Sequence, residues 1–305
     1  LPAPLSAMVR VPQPPGRSMT TDSETRPGLT GGVAAAALMA VGSMTLVQLG
    51  AALAKPTLES FGPLGTTWLR LAWAAVLLVL ITRPRILSYS WSQWRGAILL
   101  GAAMAGMTLC YFQAVNRIPL GLATAIEFLG PLGVAALGMR RAWHALWPVL
   151  ALAGVVLLVH DGSAWTVDPV GAGFALAAGL GWAIYILLMK RVGQAFDGLQ
   201  GLTMSIAVAA VVATPWGLAE SGGHIPPAVL GITIGLAILV PLLPYALEMM
   251  ALRRMPTRAF GILMSAEPAL GTLIGFAVLG QALSPAQLAG IALVVVASLG
   301  AVAGE

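Results

Sequence analysis

Charged side chains are scarce in this sequence. Lysine and arginine together number 16, and aspartate and glutamate 11, among 305 residues. The charged fraction is therefore 9%, whereas soluble domains carry about 25%. Hydrophobic residues make up 58% of the chain, and the mean hydropathy is +0.90. Because so few charges cannot cover a water-exposed surface, the composition predicts an integral membrane protein.

Cysteine is also nearly absent, and the motifs of several enzyme classes are missing. The single cysteine, Cys110, lies in an apolar run, which excludes a disulfide framework and a cysteine-based metal site. The sequence contains no Gly-x-x-x-x-Gly-Lys-Ser/Thr loop, no His-Glu-x-x-His zinc helix and no Gly-x-Ser-x-Gly elbow. We therefore expect no catalytic residue, no metal, no cofactor and no enzyme activity. A membrane-embedded enzyme that uses a buried glutamate is one alternative from another class, and a sensor or scaffold protein is another.

The apolar residues form ten runs, separated by charged residues, prolines and glycines. Crossing a bilayer of about 30 Å takes about 20 helical residues. The runs are continuous rather than alternating, so they predict helices and not strands. The predicted spans are 31–54, 62–82, 95–115, 119–139, 143–160, 169–189, 198–218, 227–251, 256–279 and 284–303. The fold class expected is all-α integral membrane, preceded by a disordered cytoplasmic tail at 1–28.

The basic residues are distributed very unevenly between the two sides of these spans. Thirteen fall on one side, only Lys55 and Arg117 fall on the other, and Arg70 lies inside a span. The side rich in lysine and arginine is normally cytoplasmic, so both termini are predicted to be cytoplasmic in a multi-pass inner-membrane protein. The thirteen are Arg10, Arg17, Arg26, Arg83, Arg85, Arg95, Arg140, Arg141, Lys190, Arg191, Arg253, Arg254 and Arg258. Topology thus explains the net charge of +5, and nucleic acid is not an expected partner.

An internal repeat relates the two halves of the chain. Ala114-Val-Asn-Arg117-Ile-Pro119 matches Ala251-Leu-Arg-Arg254-Met-Pro256, and Pro131 matches Pro268 at the same offset. Leu152-Ala-Gly-Val155 matches Leu288-Ala-Gly-Ile291. Five helices in each half would place the second half upside down relative to the first. The sequence thus predicts a 5+5 inverted repeat with five-helix halves at 29–162 and 163–305, an arrangement typical of transporters.

Several motifs resemble the EamA family of the drug/metabolite transporter (DMT) superfamily over about residues 31–303. They are Pro119-Leu-Gly-Leu-Ala-Thr-Ala-Ile-Glu-Phe-Leu-Gly-Pro131, Gly181-Trp-Ala-Ile-Tyr-Ile186, Pro244-Tyr-Ala-Leu-Glu-Met249, Pro256-Thr-Arg-Ala-Phe-Gly261 and Ser265-Ala-Glu-Pro268. The resemblance implies a ten-helix inner-membrane antiporter that exchanges protons for exported small metabolites, in particular amino acids such as threonine or homoserine. A carrier of another small metabolite or of a drug is the alternative within the superfamily.

Three ionisable residues are predicted near the middle of the membrane, where charge is costly and usually functional. Arg70, Glu127 and Glu267 lie on the order of 12 to 16 Å inside their spans, at about 1.5 Å per helical residue. A zwitterionic amino acid needs a cation for its carboxylate and an anion for its ammonium group, which Arg70 and either glutamate could supply. Either glutamate is also a candidate for proton coupling. The alternative is a structural ion pair between Arg70 and one glutamate.

Other polar residues inside spans are weaker candidates for lining a substrate cavity. Glu248 lies near the cytoplasmic end of its span, where a salt bridge with Arg253 or Arg254 is the competing role. Pro241 and Pro244 are expected to break their helix before Tyr245 and to free carbonyl groups. The remaining candidates are Tyr111, Gln113, Trp182, Tyr185 and Tyr245, each of which could equally serve helix packing, as could Gln48. Glycine pairs four residues apart permit close packing within the chain or in a homodimer.

Overall fold

Helices account for most of the protein. A computed structural model describes residues 27–137, 146–161, 164–165, 167–252, 254–255, 260 and 263–303. Its α-helices are α1 (Pro27–Phe61), α2 (Pro63–Thr82), α3 (Trp91–Arg117), α4 (Leu120–Glu127), α5 (Leu129–Leu137), α6 (Leu146–Val159), α7 (Pro169–Ala195), α8 (Gln200–Ser221), α9 (Pro227–Ala237), α10 (Leu243–Leu252), α11 (Glu267–Leu279) and α12 (Pro285–Ala303). A 3₁₀ turn covers Ile86–Ser88. A two-residue antiparallel pairing of His160–Asp161 with Ala164–Trp165 lies between α6 and α7, outside the apolar helices.

Six of the described helical segments are long and apolar enough to cross a membrane. They are Ala34–Phe61, Pro63–Thr82, Trp91–Arg117, Pro169–Ala195, Gln200–Ser221 and Pro227–Glu248. Three shorter apolar helices, Leu120–Val134, Glu267–Leu279 and Pro285–Ala297, fall within three further predicted spans. The expectation of an all-α membrane protein is therefore confirmed, whereas the count of ten spans stays a prediction. The predicted tail lies outside the described residues up to position 26.

The first helix continues to Phe61, past the predicted end of its span at residue 54. Lysine inside an apolar pattern predicts a boundary, because its ammonium group normally requires water. Here the Nζ of Lys55 instead donates hydrogen bonds of 2.8 and 2.9 Å to the carbonyl oxygens of Val115 and Asn116, in the last turn of α3. These carbonyls lack helical partners at the end of a helix, so the lysine and the helix end satisfy each other.

Prolines interrupt two of the predicted spans. Predicted span 119–139 is divided at Phe128 into α4 and α5, since Pro131 has no N–H to donate to the carbonyl of Glu127 four residues earlier. Predicted span 227–251 contains a π-helical turn at Ile238–Leu242, within which Val240 has non-helical dihedral angles. The break expected near Pro241 and Pro244 is thereby confirmed.

The helices pack mainly as pairs of one helix from each half of the chain. The most extensive pairs are α3 with α7, α2 with α8, α6 with α12, α3 with α8, α1 with α10, and α4 with α11. Small residues allow the close approach. A Cβ atom added at Gly181 of α7 would lie 2.9 Å from the Cβ of Met107 on α3. One added at Gly154 of α6 would lie 2.7 Å from the carbonyl oxygen of Gly290 on α12. Helix pairing thus leaves the buried polar groups between the two halves.

Large apolar side chains cover much of the outer surface of the helices. Leu38, Leu80, Leu180 and Val211 are each more than 60% exposed although they lie within long apolar helices. Contiguous apolar faces of this kind mark contact with lipid or with another protein. The described surface therefore suits a bilayer, and the polar groups discussed next point inward.

Candidate functional site

Arg70, on α2, is enclosed by protein, with 1% of its surface exposed. Its Nε and Nη2 donate hydrogen bonds of 3.2 and 2.9 Å to the carbonyl oxygen of Val240, and its guanidinium carbon lies 4.1 Å from the centre of the Phe112 ring. The Val240 carbonyl has no helical donor, because Pro244, four residues on, lacks an N–H group. The arginine thus replaces the hydrogen bond that the proline removes.

The structural ion pair between Arg70 and a glutamate, one of the two expected roles, is not formed. Among the described residues, the ion pairs are Lys55–Glu59 and Arg117–Asp168. In the same part of the chain, the Nη1 of Arg70 is buried without a hydrogen-bond partner. A carbonyl dipole and an aromatic ring stabilise the guanidinium but do not neutralise it. The site around Arg70 therefore favours an anion.

Glu267 is the first residue of α11 and follows a turn at Ser265 and Ala266 that interrupts predicted span 256–279. It is 4% exposed. Its Oε1 accepts a hydrogen bond of 3.3 Å from the Nε2 of Gln48 on α1. Its Oε2 is buried and has no hydrogen-bond partner among the described residues. A buried carboxyl oxygen without a partner is a candidate for binding a proton or an ammonium group.

Gln48 connects Glu267 to two hydroxyl groups on other helices. The Oε1 of Gln48 lies 3.4 Å from the hydroxyl of Tyr111 on α3 and 3.2 Å from that of Thr124 on α4, and both can donate to it. The two hydroxyl oxygens are 3.0 Å apart. The network therefore joins α1, α3 and α4 to the beginning of α11. Its members are buried, so each group depends on the others for hydrogen bonds.

Glu127 is the last residue of α4, at the break before Phe128, and is 7% exposed. No side chain in the described part of the protein donates a hydrogen bond to its carboxyl group. It lies within electrostatic range of Glu267, so the two carboxyl groups belong to one buried region. Gly179 of α7 packs on this break, where an added Cβ would lie 2.6 Å from the Glu127 carbonyl oxygen. The two glutamates thus lie at breaks in different helices and differ in their hydrogen bonding.

Tyr245, on α10, interacts electrostatically with the three ionisable residues of this site described so far. Arg70, Glu127, Glu248 and Glu267 are all within electrostatic range of its hydroxyl. Its ring stacks on that of Tyr185 on α7, with 5.8 Å between the ring centres and an interplanar angle of 28°. These contacts bring most of the candidate residues into one region.

Glu248 also belongs to this region, since it lies within electrostatic range of the Tyr245 hydroxyl. Its Oε1 lies 2.9 Å from the hydroxyl of Ser43 on α1, which can donate to it. The expected salt bridge with Arg254 is not formed, since the Nη1 of Arg254 contacts the sulfur of Met39 at 3.3 Å. Arg253, the other expected partner, lies outside the described residues.

Of the two remaining candidates, Trp182 lies next to the buried charges in the described structure and Gln113 does not. The ring of Trp182 on α7 makes an edge-to-face contact with Phe128, at the break beside Glu127, with 5.6 Å between ring centres. Gln113 on α3 is half-buried and takes no part in the hydrogen-bond network of Gln48 described above. Trp182 is therefore next to the buried charges, whereas Gln113 has no contact that connects it to them in the described structure.

Sequence reasoning missed three groups that support the site: the hydroxyl of Thr124, the hydroxyl of Ser43 and the carbonyl of Val240. Thr124 lies one helical turn before Glu127, and its polarity in an apolar run was an available signal. Val240 takes part through its backbone carbonyl, so the identity of its side chain gives no signal. The available signal was the proline four positions later.

The grouped atoms are suited to binding a small molecule with ionised groups. They comprise one guanidinium, three carboxyl groups, a carboxamide and several hydroxyls. No set of three or more histidine, cysteine, aspartate or glutamate residues in the described structure could hold a metal ion.

Comparison with known proteins agrees with this description. Residues 169–303 match the model of the EamA-like transporter family. The threonine/homoserine exporter RhtA of Escherichia coli (strain K12) is 38% identical over 260 residues, which cover 85% of this chain and 88% of that protein. The uncharacterized transporter YwfM of Bacillus subtilis (strain 168) is 29% identical over 253 residues, 79% of this chain and 84% of that protein.

A solved crystal structure has the same fold, with a TM-score of 0.62 at 20% identity over 88% of this chain and 96% of that chain. Each alignment is long enough to include residues from both halves of the chain. The apolar helices, the inward-facing charges and these similarities lead to one conclusion. This chain belongs to the EamA-like transporter family, within the drug/metabolite transporter superfamily, and is a multi-pass membrane protein.

Proposed function

We propose that this protein is a secondary active transporter of the inner membrane that exports small amino acids such as threonine or homoserine in exchange for protons. The observation that carries the proposal is the burial of one uncompensated cation, Arg70, and of the carboxyl groups of Glu127 and Glu267, all within electrostatic range of the Tyr245 hydroxyl. An amino acid can present its carboxylate to Arg70 and its ammonium group to a glutamate. Identity to an exporter of threonine and homoserine supports this substrate class.

The unpaired Nη1 of Arg70 supports a carboxylate as one of the substrate groups. Binding a carboxylate would give this donor an acceptor and would neutralise the guanidinium in a buried site. The two buried carboxyl groups, of Glu127 and Glu267, outnumber the single guanidinium. At least one of them therefore needs a cation or a proton, which supports ammonium binding and proton exchange at the same region.

Helix packing supports an inverted repeat of two five-helix halves. Each half of the chain begins with the helix α1 or α7, and α1 packs on α10 whereas α7 packs on α3. If a pseudo-two-fold axis relates the two halves, each of these two contacts is the symmetry counterpart of the other. Gly154 and Gly290, which are equivalent in the sequence repeat, also approach each other closely. Rocking of one half against the other would expose the buried charges to each side in turn.

An export assay in cells tests the substrate. Cells fed with a dipeptide that contains threonine or homoserine should accumulate less of the free amino acid when they express this protein than when they carry an empty vector. Expression of the Arg70→Gln variant at the same level is the control for effects of membrane-protein production. Unchanged intracellular levels of both amino acids would reject this substrate and would favour a carrier of another small metabolite or of a drug.

Proton coupling is tested in proteoliposomes. We expect a pH gradient to drive amino-acid flux through the wild-type protein, and the double variant Glu127→Gln, Glu267→Gln to lose that dependence on the gradient. The single variants show which carboxyl group carries the proton. Full gradient-driven flux in the double variant would reject both glutamates as coupling groups.

A further inference from the structure

The two buried glutamates are not equivalent, because Gln48 supports only one of them. Gln48 is 1% exposed and lies on α1, and its Nε2 donates to the Oε1 of Glu267 at 3.3 Å. Glu127 has no comparable donor among the described residues. A carboxyl group held by a hydrogen bond at one oxygen presents the other oxygen in a defined direction, whereas an unsupported one can adopt several rotamers.

The orientation of the Gln48 carboxamide is itself determined by its neighbours. The Tyr111 hydroxyl can donate to Oε1, as can that of Thr124 when its single proton is not on the Leu120 carbonyl oxygen 2.9 Å away. Oε1 thus acts as the acceptor, which leaves the NH₂ group for Glu267. Rotating the carboxamide by half a turn exchanges its oxygen and nitrogen, and would place its oxygen against an oxygen of the ionised Glu267 carboxyl group. The hydroxyls on α3 and α4 therefore act on Glu267 through Gln48.

The space for the carboxamide depends on a glycine in α11. A Cβ atom added at Gly271 would lie 2.9 Å from the Oε1 of Gln48 and 3.1 Å from the hydroxyl oxygen of Thr124. Both distances are shorter than ordinary contacts between such atoms. Gly271 lies four residues after Glu267, so the helix that carries the carboxyl group also provides the room for its supporting side chain.

We propose that Gln48 is a positioning residue that selects Glu267, rather than Glu127, as the group that binds the ammonium of the substrate. The assignment rests on the proposed function. Gln48 holds Oε1 of Glu267, and the free Oε2 accepts a hydrogen bond from the ammonium group when substrate binds. Tyr111, Thr124 and Gly271 maintain the orientation of Gln48.

A double-mutant cycle on the purified protein in nanodiscs tests this role, with binding of L-threonine as the measurement. Gln48→Met keeps the length of the side chain and removes its hydrogen-bonding groups. We expect it to weaken threonine binding about 10-fold in the wild-type background, which is the order expected for a hydrogen bond to a charged group. In the Glu267→Gln background it should change affinity less than about 2-fold, and in the Glu127→Gln background it should again weaken binding about 10-fold.

The deaminated analogue 3-hydroxybutyrate separates positioning from general damage, since it has neither the ammonium group nor any other hydrogen-bond donor at C2. Its affinity should be the same for the wild-type protein and Gln48→Met. Equal weakening of both ligands, or equal effects of Gln48→Met in the two glutamine backgrounds, would overturn the proposal in favour of a structural role. Absence of threonine binding by the wild-type protein would instead reject the proposed function, and this assignment with it.

Gly271→Ala provides a second variant if Gln48→Met does not fold. It should displace the carboxamide without removing any hydrogen-bonding group and should weaken threonine binding while leaving the analogue unaffected. Gly231→Ala is the matched control, because a Cβ at Gly231 meets no atom within 4 Å. Threonine affinity in Gly271→Ala equal to that in Gly231→Ala would also overturn the proposal.

Discussion

Arg70 and Lys55 are accommodated in the helix bundle in the same way, by backbone carbonyls that have lost their helical donors. For Lys55 the carbonyls belong to the last turn of α3, and for Arg70 the carbonyl is that of Val240 at the break before α10. The two differ in what else surrounds them. Lys55 has Glu59 at 3.8 Å, whereas Arg70 forms no ion pair in the described structure. This difference separates a structural cation from a candidate for substrate binding.

Replacement of Arg70 by lysine tests whether the guanidinium geometry matters. Arg70→Lys keeps the charge but loses the planar group that faces Phe112 and binds Val240 through two nitrogens. We expect amino-acid export to fall by about 10-fold or more, the loss typical of removing a charged hydrogen bond. Arg95→Lys, at an exposed position on α3, should export normally. Normal export by Arg70→Lys would show that a point charge suffices.

Lys55→Met should lower stability rather than alter transport specificity. The change removes two hydrogen bonds to the end of α3 and leaves the carbonyls of Val115 and Asn116 without donors. We expect the free energy of unfolding to fall by about 1–2 kcal/mol, which lowers the thermal unfolding midpoint measured in detergent. Arg117→Gln is the comparison, because its partly exposed ion pair with Asp168 should contribute less than about 1 kcal/mol. Equal midpoints for the two variants would contradict this account of Lys55.

At the scale of the elements, the breaks in the helices determine where polar groups can be placed. α4 ends at Glu127, α11 begins at Glu267, and the segment between α9 and α10 releases the carbonyl of Val240. Each break has a proline within four residues, so its position follows from the missing N–H groups of these prolines. Neighbouring helices then pack against the breaks at small residues, which brings groups from several helices into contact.

Gly179 of α7 provides a test of this packing. A Cβ added at Gly179 would lie 2.6 Å from the carbonyl oxygen of Glu127, a backbone atom that cannot rotate away. Gly179→Ala should therefore separate α7 from the break and destabilise the protein by about 1–3 kcal/mol. Gly173→Ala on the same helix meets nothing within 4 Å and should be neutral or slightly stabilising. The thermal unfolding midpoints of the two variants test this expectation. A Gly179→Ala protein as stable as Gly173→Ala would contradict the close approach of α7 to the break.

At the scale of the whole molecule, hydrogen bonds show which helix ends lie together at each end of the helix bundle. At one end the N–H of Gly65 donates to Glu220, and at the other the hydroxyl of Tyr89 donates to Gln200. Both contacts join the first half of the chain to α8. The exposed Arg83 and Arg85 lie at the second end, together with Tyr89, and this supports its proposed cytoplasmic location.

Cysteine labelling tests this orientation. In a Cys110→Ser background, Ser88→Cys is expected to react with a membrane-impermeant maleimide only in inside-out vesicles, because its loop is predicted to be cytoplasmic. His224→Cys, in the exposed turn after α8, is expected to react only in right-side-out vesicles. Labelling of both positions from the same side would exclude an odd number of crossings between them. The reversed pattern would place the termini outside.

Much of the site could be named from the sequence, because ionisable residues are conspicuous in apolar runs. Arg70, Glu127 and Glu267 stand out by this criterion, and the structure places all three within electrostatic range of the Tyr245 hydroxyl. Their partners could not be named, since Val240 acts through its backbone and Gln48 resembles any polar residue at a helix interface. Of the two salt bridges expected for Glu248, the one with Arg254 is not formed, because proximity in sequence does not determine which helix face packs inward.

The sequence by itself determined that this protein lies in a membrane, which residues are buried charges and where prolines interrupt its helices. These properties follow from composition and from the chemistry of single residues. Only the tertiary structure decided that Arg70 binds a carbonyl instead of a glutamate and that Glu267 alone is supported by Gln48. The physical reason is that a buried polar group must take its partner from another helix, and the choice of that partner depends on how the helices pack.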